Sequence, residues 1–201
     1  MIGIIDYGIG NLNAFLNALN DINVKAKIIT RGFDLDETSK LILPGVGSFD
    51  TVISRLNESG IREDLEHQVL EKKKPILGVC SGMQIMFESS EEGKLDGLGW
   101  IDGHVKKIKS NNKDYVLPHM GWNSLKIARK HKILANLTDP TFYFLHSFVA
   151  MPSNDNEILT YTDYETLFCS LVASQNIYGA QFHPEKSNHA GRNFLKNFSD
   201  I

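Results

Sequence analysis

The sequence is poor in cysteine: among 201 residues there are only two, Cys80 and Cys169. Two thiols cannot build the dense disulfide framework that stabilises small secreted domains, and no CxxC pattern typical of a zinc site is present. We therefore predict no metal site. Scarce cysteine of this kind also fits a reducing compartment, so a cytoplasmic location is expected.

Long apolar runs and a strong charge of one sign are also lacking. No stretch approaches the ~20 apolar residues that a membrane-spanning helix needs, and the apolar run at residues 2–5 is too short for a signal peptide. The formal net charge is −3. The lysines form short clusters at 72–74 and 106–109 rather than the broad basic face of a nucleic-acid-binding protein. We expect neither a membrane nor a nucleic acid as partner.

What the sequence does have is the composition of an ordinary globular protein. Hydrophobic residues make up 42% of the chain and charged residues 22%, whereas a disordered chain combines low hydrophobicity with high net charge. A length of 201 residues suits one domain. We therefore expect a single domain that spans residues 1–201.

Strand-like and helix-like stretches alternate in the first half of the chain. Leu12, Phe15, Leu16 and Leu19, for example, recur at the i, i+3, i+4, i+7 spacing of one helix face. This alternation predicts an α/β fold with a central, largely parallel sheet and helices on both faces. Strands are predicted at 2–5, 25–29, 41–43 and 75–79, and helices at 11–19, 49–56, 65–70 and 82–87.

The second half of the chain changes character after Gly93. Short strand-like pieces follow one another with few helical stretches between them. They predict antiparallel additions to the same sheet rather than a second domain. These strands are predicted at 116–117, 142–145, 158–161, 167–172 and 179–182, and a last helix is predicted at 190–198.

Residues 75–84, Pro-Ile-Leu-Gly-Val-Cys-Ser-Gly-Met-Gln, have the layout of a nucleophile elbow centred on Cys80. A strand leads into Cys80, glycines stand two residues to either side, and a helix is predicted to follow. The glycines allow the close backbone approach that a sharp strand-to-helix turn needs. A helix N-terminus beyond the turn would favour the thiolate. An unpaired cysteine is more often a core residue, which stays open for Cys80 and is our assignment for Cys169.

His183 is the best candidate for the base that a cysteine nucleophile requires. It follows a predicted strand and precedes Pro184, which fixes its own φ and restricts the residue before it. That restriction would hold His183 and Glu185 in a stiff relative geometry, so that the carboxylate could orient the imidazole. On its own, a His-Pro-Glu segment would more often be an ordinary turn.

Together the two segments resemble the class I, or triad, glutamine amidotransferases. In that family Gly-x-Cys-x-Gly-x-Gln supplies the nucleophile, and His-Pro-Glu near the C-terminus supplies the base and its partner. The resemblance implies that Cys80 attacks the side-chain amide of L-glutamine and that His183 protonates the departing ammonia. Water then hydrolyses the glutamyl thioester to glutamate. The implied role of Glu185 is to orient the base, and no cofactor is implied.

Other segments also fit this family. Residues 44–47, Pro-Gly-Val-Gly, resemble its oxyanion strand. Backbone N–H groups of Val46 and Gly47 would then complete an oxyanion hole with the N–H of Ser81, although a structural glycine turn is the alternative. The family's glutamine-holding positions are matched by Gln84, His146, Ser147 and Phe148.

Within the family, the chain most resembles the glutaminase subunit of imidazole glycerol phosphate synthase, from histidine biosynthesis. The similarity covers nearly the whole chain, and segments 6–12 and 118–123 are diagnostic of this subgroup. There, a separate barrel-shaped cyclase receives the ammonia and makes imidazole glycerol phosphate and an aminoimidazole carboxamide ribotide. The resemblance implies that Asn11, Trp122 and Lys186 lie near the docking face for this partner. Their alternatives are a helix cap, a core aromatic and a solvated charge.

Several departures from the subgroup leave the partner open. Ser81 stands where the subgroup usually has Leu, Asn13 and Ala14 replace a basic residue and Ser, and Asn188 replaces Gln. None removes a residue of the triad. Similar glutaminases feed ammonia to sugar amidotransferases that convert acetamido to acetamidino sugars for surface glycans, which is the second hypothesis. A regulatory module without chemistry, and a thiol hydrolase or peptidase on a related fold, are alternatives of other classes.

Overall fold

The computed structural model describes residues 1–109, 115–138 and 140–201. The helices are α1 (Leu12–Asn20), α2 (Phe49–Glu58), α3 (Arg62–Glu66), α4 (Ser81–Gln84) and α5 (Asn188–Asp200). The strands are β1 (Ile2–Ile5), β2 (Ala26–Ile29), β3 (Lys40–Gly45), β4 (Ile76–Cys80), β5 (Ser89–Ser90), β6 (Gly103–Lys107), β7 (His119–Ser124), β8 (Lys126–Ile127), β9 (Thr141–His146), β10 (Phe148–Pro152), β11 (Ile158–Tyr164), β12 (Thr166–Ser174) and β13 (Ile177–Ala180).

Eleven of the strands in these ranges form one mixed sheet, in the order β2-β1-β3-β4-β13-β12-β10-β6-β5, with β11 on β12 and β8 on β11. The pairs among β2, β1, β3, β4 and β13 are parallel, whereas β12 and β10 are added in antiparallel orientation. This confirms the predicted α/β fold. The exception, within the described residues, is that β7 and β9 form a separate two-stranded sheet, so not every added strand joins the main sheet.

Two apolar clusters cover the two faces of the sheet. Neighbouring residues along a strand point to opposite faces, so Ile4 packs in one cluster with Phe15 of α1 and Phe194 of α5. Ile5 packs in the other cluster, with Phe49 of α2. Helices therefore lie on both faces, as predicted, because each face of a buried sheet needs apolar cover.

One predicted strand, at 116–117, is wrong. In the structure β7 begins at His119, directly after Pro118, and the bond between Leu117 and Pro118 is cis. Proline has no N–H to donate to a strand partner. The apolar pair before it therefore leads into the strand rather than forming it.

Two predicted ends near the motifs also differ from the structure. The helix predicted at 82–87 is a single α turn, because Phe87 N–H bonds to Gln84 and the next residue, Glu88, bonds to Gly103 of β6. Its dipole is correspondingly small. The strand predicted to run to Phe182 ends at Ala180.

In the part of the chain that the structure describes, no helix is long and apolar enough to cross a membrane.

Candidate active site

Cys80 lies where β4 turns into α4, with φ at 56° and ψ at −118°. A positive φ is uncommon for a residue other than glycine and is typical of functional turns. The turn is tight, since a Cβ on Gly82 would lie 2.1 Å from the carbonyl oxygen of Leu43. A Cβ on Gly45 would lie 2.0 Å from the backbone nitrogen of Gly82. The glycines of both motifs thus allow β3 and α4 to approach each other beside Cys80.

His183 and Glu185 form a buried pair. His183 Nδ1 lies 2.8 Å from Glu185 Oε1, and each side chain is 3% exposed. The N–H of His183 donates to the Tyr143 carbonyl at 2.9 Å, and the 3-10 turn Pro184–Lys186 brings the carboxylate back to the ring. A carboxylate accepts hydrogen bonds, so Nδ1 carries a hydrogen and Nε2 is left for proton exchange. Within the described residues, that buried Nε2 has no hydrogen-bond partner.

The surroundings of His183 favour the imidazolium. Burial lowers its pKa, but interactions with Cys80 and Glu185 outweigh burial and raise the pKa to about 10. The ring is therefore protonated near neutral pH. An imidazolium is the form that can give a proton to a departing amine.

Cys80 and His183 open onto a cavity of about 250 Å³. The cavity collects every residue that the sequence assigned to the oxyanion hole and to glutamine binding. Three further residues of its wall were not singled out from the sequence. The predicted residues are Val46, Gly47, Ser81, Gln84, His146, Ser147 and Phe148, and the additional ones are Glu92, Pro118 and Leu145.

The wall behind Cys80 is built from an amide network that sequence reasoning missed. The Cys80 thiol donates to the Leu145 carbonyl at 3.7 Å, and the Gln181 amide donates to Sγ at 3.9 Å. Gln84 Nε2 donates at 3.0 Å to both Gln181 Oε1 and the Phe148 carbonyl. The amide hydrogens of Gln84 therefore hold the wall and do not point to the cavity. The only signal for Gln181 was its place in the His-Pro-Glu segment.

His146 also lines the cavity, but its ring nitrogens face the protein. Nδ1 lies 3.0 Å from the Phe148 carbonyl and Nε2 lies 3.0 Å from His119 Nδ1. Since a carbonyl only accepts, the hydrogen of each ring is assigned to Nδ1, and His119 Nε2 accepts from the Asn123 amide at 3.3 Å. Burial lowers the pKa of His119 to about 4 and that of His146 to about 3. Both rings are therefore neutral.

The oxyanion-strand residues meet α4 at the front of the cavity. Gly47 has a φ of +114°, which suits glycine, and the Val46 side chain is 45% exposed. The β3–β4 register pairs Gly45 with Cys80. The oxyanion strand therefore lies directly beside the nucleophile.

The three residues implied in partner docking have different surroundings. Asn11 caps α1, because its side chain accepts from the Ala14 N–H at 3.2 Å. Trp122 is 51% exposed and touches the Tyr143 ring edge-on, which excludes the core alternative. Lys186 Nζ lies 5.7 Å from the centre of the same ring, within cation–π range. Trp122 and Lys186 therefore converge on Tyr143.

The second thiol has none of these features. Cys169 lies in β12, buried in the apolar cluster on the α2 face. Burial raises its pKa well above the ordinary value, which disfavours the thiolate that a nucleophile needs. This confirms its assignment to the core. Among the residues that the structure describes, no group of three or more His, Cys, Asp or Glu side chains could hold a metal ion.

Comparison with known proteins places the chain in a family. The model of the class I glutamine amidotransferases matches residues 3–200. The imidazole glycerol phosphate synthase subunit HisH of Leptospira interrogans is 48% identical over the full length of both chains. The subunit of the same name from Bdellovibrio bacteriovorus is 45% identical, also over the full length of both.

Solved structures show the same fold at lower identity. One described as a glutamine amidotransferase superposes with a TM-score of 0.76, at 19% identity, over 100% of this chain and 99% of the other. A chain of PurLQS from Thermotoga maritima superposes with a TM-score of 0.74, at 16% identity, over 99% and 97% of the two chains. The protein belongs to the class I glutamine amidotransferase family.

Proposed function

We propose that this class I glutamine amidotransferase is the glutaminase subunit of an imidazole glycerol phosphate synthase. It hydrolyses L-glutamine and passes the ammonia to a cyclase subunit in histidine biosynthesis. The relatives of that name, identical at up to 48% over the whole chain, support the pathway. The observation that carries the chemistry is the buried His183–Glu185 pair beside the Cys80 elbow.

The first half of the reaction uses Cys80 and His183. The Cys80 thiolate attacks the side-chain amide carbon of glutamine and forms a C–S bond, and the carbonyl oxygen becomes an oxyanion. His183 then gives its Nε2 proton to the amide nitrogen, the C–N bond breaks, and ammonia leaves. Glu185 holds Nδ1–H throughout, so that the ring keeps the orientation and tautomer that this transfer needs.

The second half releases the product from Cys80. His183, now neutral, takes a proton from water as the water oxygen attacks the thioester carbon. Collapse of the second tetrahedral intermediate breaks the C–S bond and frees glutamate, and the proton on His183 restores the starting pair. Splitting amide hydrolysis into acylation and deacylation replaces one difficult step with two easier ones.

Backbone N–H groups of Val46, Gly47 and Ser81 stabilise the oxyanion in both halves. Losing one such donor typically costs about 2.7–4 kcal/mol of transition-state stabilisation. An oxyanion hole that is completed only in the cyclase complex would keep the isolated glutaminase from wasting glutamine.

The docking face for the cyclase lies on the outer side of the β7–β9 pair. Side chains alternate along these strands, so Met120, Trp122 and Leu145 project outward and are 66%, 51% and 37% exposed. Exposed apolar side chains clustered on one face are typical of a protein interface. Lys186 and Tyr143 stand at the same place, beside the cavity mouth, so that ammonia released at Cys80 passes directly to the docked partner.

The proposal is tested by measuring glutamate release from glutamine by the chain alone and with the cyclase of the same source, loaded with its nucleotide substrate. We expect weak release alone and strong stimulation in the complex. Release that the cyclase does not stimulate would keep the glutaminase and favour a sugar amidotransferase as the partner. No release in either case, with cleavage of a peptide instead, would overturn the glutaminase chemistry.

A further inference from the structure

Tyr7 supplies a hydrogen bond to β3 at the point where β1 no longer reaches it. The β1–β3 pairing ends with Ile4 opposite Ile42, so the carbonyl of Pro44 lies beyond that ladder. The buried Tyr7 hydroxyl donates to this carbonyl. An unpaired buried carbonyl would destabilise the fold, and Tyr7 thus fixes the peptide that begins the oxyanion strand, residues 44–47.

Tyr7 can act there only as a donor. Burial first, and then the charge of Cys80, raise its pKa well above the ordinary value. The hydroxyl therefore keeps its proton throughout the physiological range. The β3–β4 register pairs Gly45, the residue after Pro44, with Cys80, so this anchored end lies close to the reacting sulfur.

Ser81 fixes the other end of the oxyanion strand. Its hydroxyl donates to the Gly47 carbonyl at 2.8 Å, and the residue is 5% exposed. Because Ser81 follows Cys80 directly and its side chain has one rotatable bond before the oxygen, this hydrogen bond ties Gly47 closely to the nucleophile's own backbone. The subgroup's usual leucine has no donor, so this half of the arrangement is a property of this chain.

Two peptide units lie between the anchored carbonyls, and they carry the N–H groups of Val46 and Gly47. Gly47 has a φ of +114° with open space where a Cβ would stand, and the Val46 side chain is 45% exposed. Neither residue is braced by packing. Because packing does not hold them, the hydrogen bonds at the two anchored carbonyls set the orientation of these two units.

We propose that the hydroxyls of Tyr7 and Ser81 are positioning groups for glutamine hydrolysis, an inference that rests on the proposed function. They clamp the two ends of the oxyanion strand. The N–H groups of Val46 and Gly47 therefore reach the tetrahedral intermediate as a unit of fixed geometry. Preorganised donors of this kind stabilise a transition state more than they stabilise bound substrate.

The test compares kcat and KM for glutamine in the cyclase complex of the wild type, Ser81→Ala, Ser81→Thr and Tyr7→Phe. We expect Ser81→Ala and Tyr7→Phe each to lower kcat by roughly fivefold to twentyfold, less than the ~10²–10³ that follows loss of a donor itself. KM should change less than about twofold, because ground-state binding is not involved. Ser81→Thr keeps the hydroxyl and should restore most of the rate.

Thr38→Val is the matched control. Thr38 is buried, and its hydroxyl donates to the Leu35 carbonyl at 2.7 Å, away from the cavity. The Thr38→Val variant loses the same kind of hydrogen bond, a buried hydroxyl that donates to a carbonyl, and its kcat should stay at the wild-type value. A second readout is inhibition by glutamate γ-semialdehyde. The Cys80 sulfur adds to its aldehyde carbon, and the aldehyde oxygen takes up a proton. Its inhibition constant should rise in Ser81→Ala by the factor by which kcat falls.

The outcomes separate the clamp from the function on which it rests. Unchanged kcat in both Ser81→Ala and Tyr7→Phe, with an active wild-type complex, would overturn the clamp alone. An equal loss of kcat in Thr38→Val would also overturn it. A wild-type complex that releases no glutamate would overturn the proposed function and this inference with it. Should Tyr7→Phe fail to fold, the Ser81→Ala and Ser81→Thr pair decides.

Discussion

The two sides of the cavity are held by different means. On the nucleophile side, β4 lies between β3 and β13 in the middle of the sheet, and the His183–Glu185 pair is closed and buried. On the oxyanion side, residues 46–47 lie past the end of β3, and the carbonyls of Pro44 and Gly47 accept hydrogen bonds from the hydroxyls of Tyr7 and Ser81. The His183–Glu185 pair is therefore formed before substrate binds, and the oxyanion strand is the side on which we expect the partner to act.

Replacement of Cys80 by Ala gives the largest expected effect. It removes the attacking atom, so glutamate release should fall by about 10⁴-fold or more, while the circular dichroism spectrum and melting temperature stay close to wild type. Cys169→Ala is the matched control, since that thiol is buried in the core, and its kcat should be nearly unchanged. An active Cys80→Ala enzyme would show that Cys80 is not the nucleophile.

Glu185→Gln should give the next largest effect, a loss of roughly 10²–10⁴ in kcat, because the ring of His183 loses the group that fixes its tautomer. Its pKa should also fall below the wild-type value of about 10. Ring-nitrogen NMR on labelled histidine measures both titrations. A His183 that titrates identically in the two proteins would show that the carboxylate does not hold the imidazolium.

The raised pKa of His183 also has a consequence for stability. A histidine with a raised folded pKa stabilises the protein fully below its unfolded value, about 6.5, and this contribution is lost as pH rises through the folded pKa of about 10. Urea unfolding of Glu185→Gln should therefore show a smaller loss of stability over this pH range than the wild type does.

Two glycine substitutions sharpen the contrast between the two sides. Gly82→Ala would place a methyl group 2.1 Å from the Leu43 carbonyl, and we expect a loss of several kcal/mol of unfolding free energy, since backbone cannot give way as a side chain does. In Gly47→Ala the new methyl group meets open space, but the φ is unfavourable. The free energy of unfolding should therefore fall by only about 1 kcal/mol, and the activation free energy of glutamine hydrolysis should rise by more than that. Thermal unfolding and glutamate release measure both. Equal losses of unfolding free energy in the two variants would contradict the inference that Gly82 packs tightly against backbone whereas Gly47 does not.

A prediction on stability alone concerns the neutral pair His119 and His146. A histidine whose folded pKa is depressed contributes stability that is present above the unfolded value of about 6.5 and lost as pH falls towards the folded values of about 4 and about 3. Urea unfolding should therefore show stability falling from pH 6.5 to pH 4. His119→Asn should reduce this dependence by removing one of the two groups. An unchanged dependence would mean that other groups govern it.

The sequence allowed the fold class and most of the cavity wall to be predicted, because periodicity and motif spacing are local. The turn at Cys80 and the pairing of His183 with Glu185 follow from glycines and a proline close by in the chain. The length of α4 could not be predicted, because Glu88 leaves the helix to bond with Gly103, fifteen residues away.

Long-range side-chain contacts account for the rest of what was missed. Tyr7 meets Pro44 across 37 positions, and Gln181 meets Gln84 across 97. No local pattern encodes such pairs. The sequence did not decide whether Trp122 is buried or exposed, because the alternation of β7 could be recognised only once His119 was known to point inward.

The most direct test of the difference between the two sides compares two rates at Cys80, each with and without the loaded cyclase. Alkylation by iodoacetamide requires the activated sulfur but no oxyanion hole, whereas glutamate release requires both. If the triad is preassembled and the oxyanion strand is controlled, docking should raise glutamate release strongly and leave alkylation unchanged or slower through occlusion. If both rates rise together by the same factor, the partner assembles the triad itself, and the account is wrong.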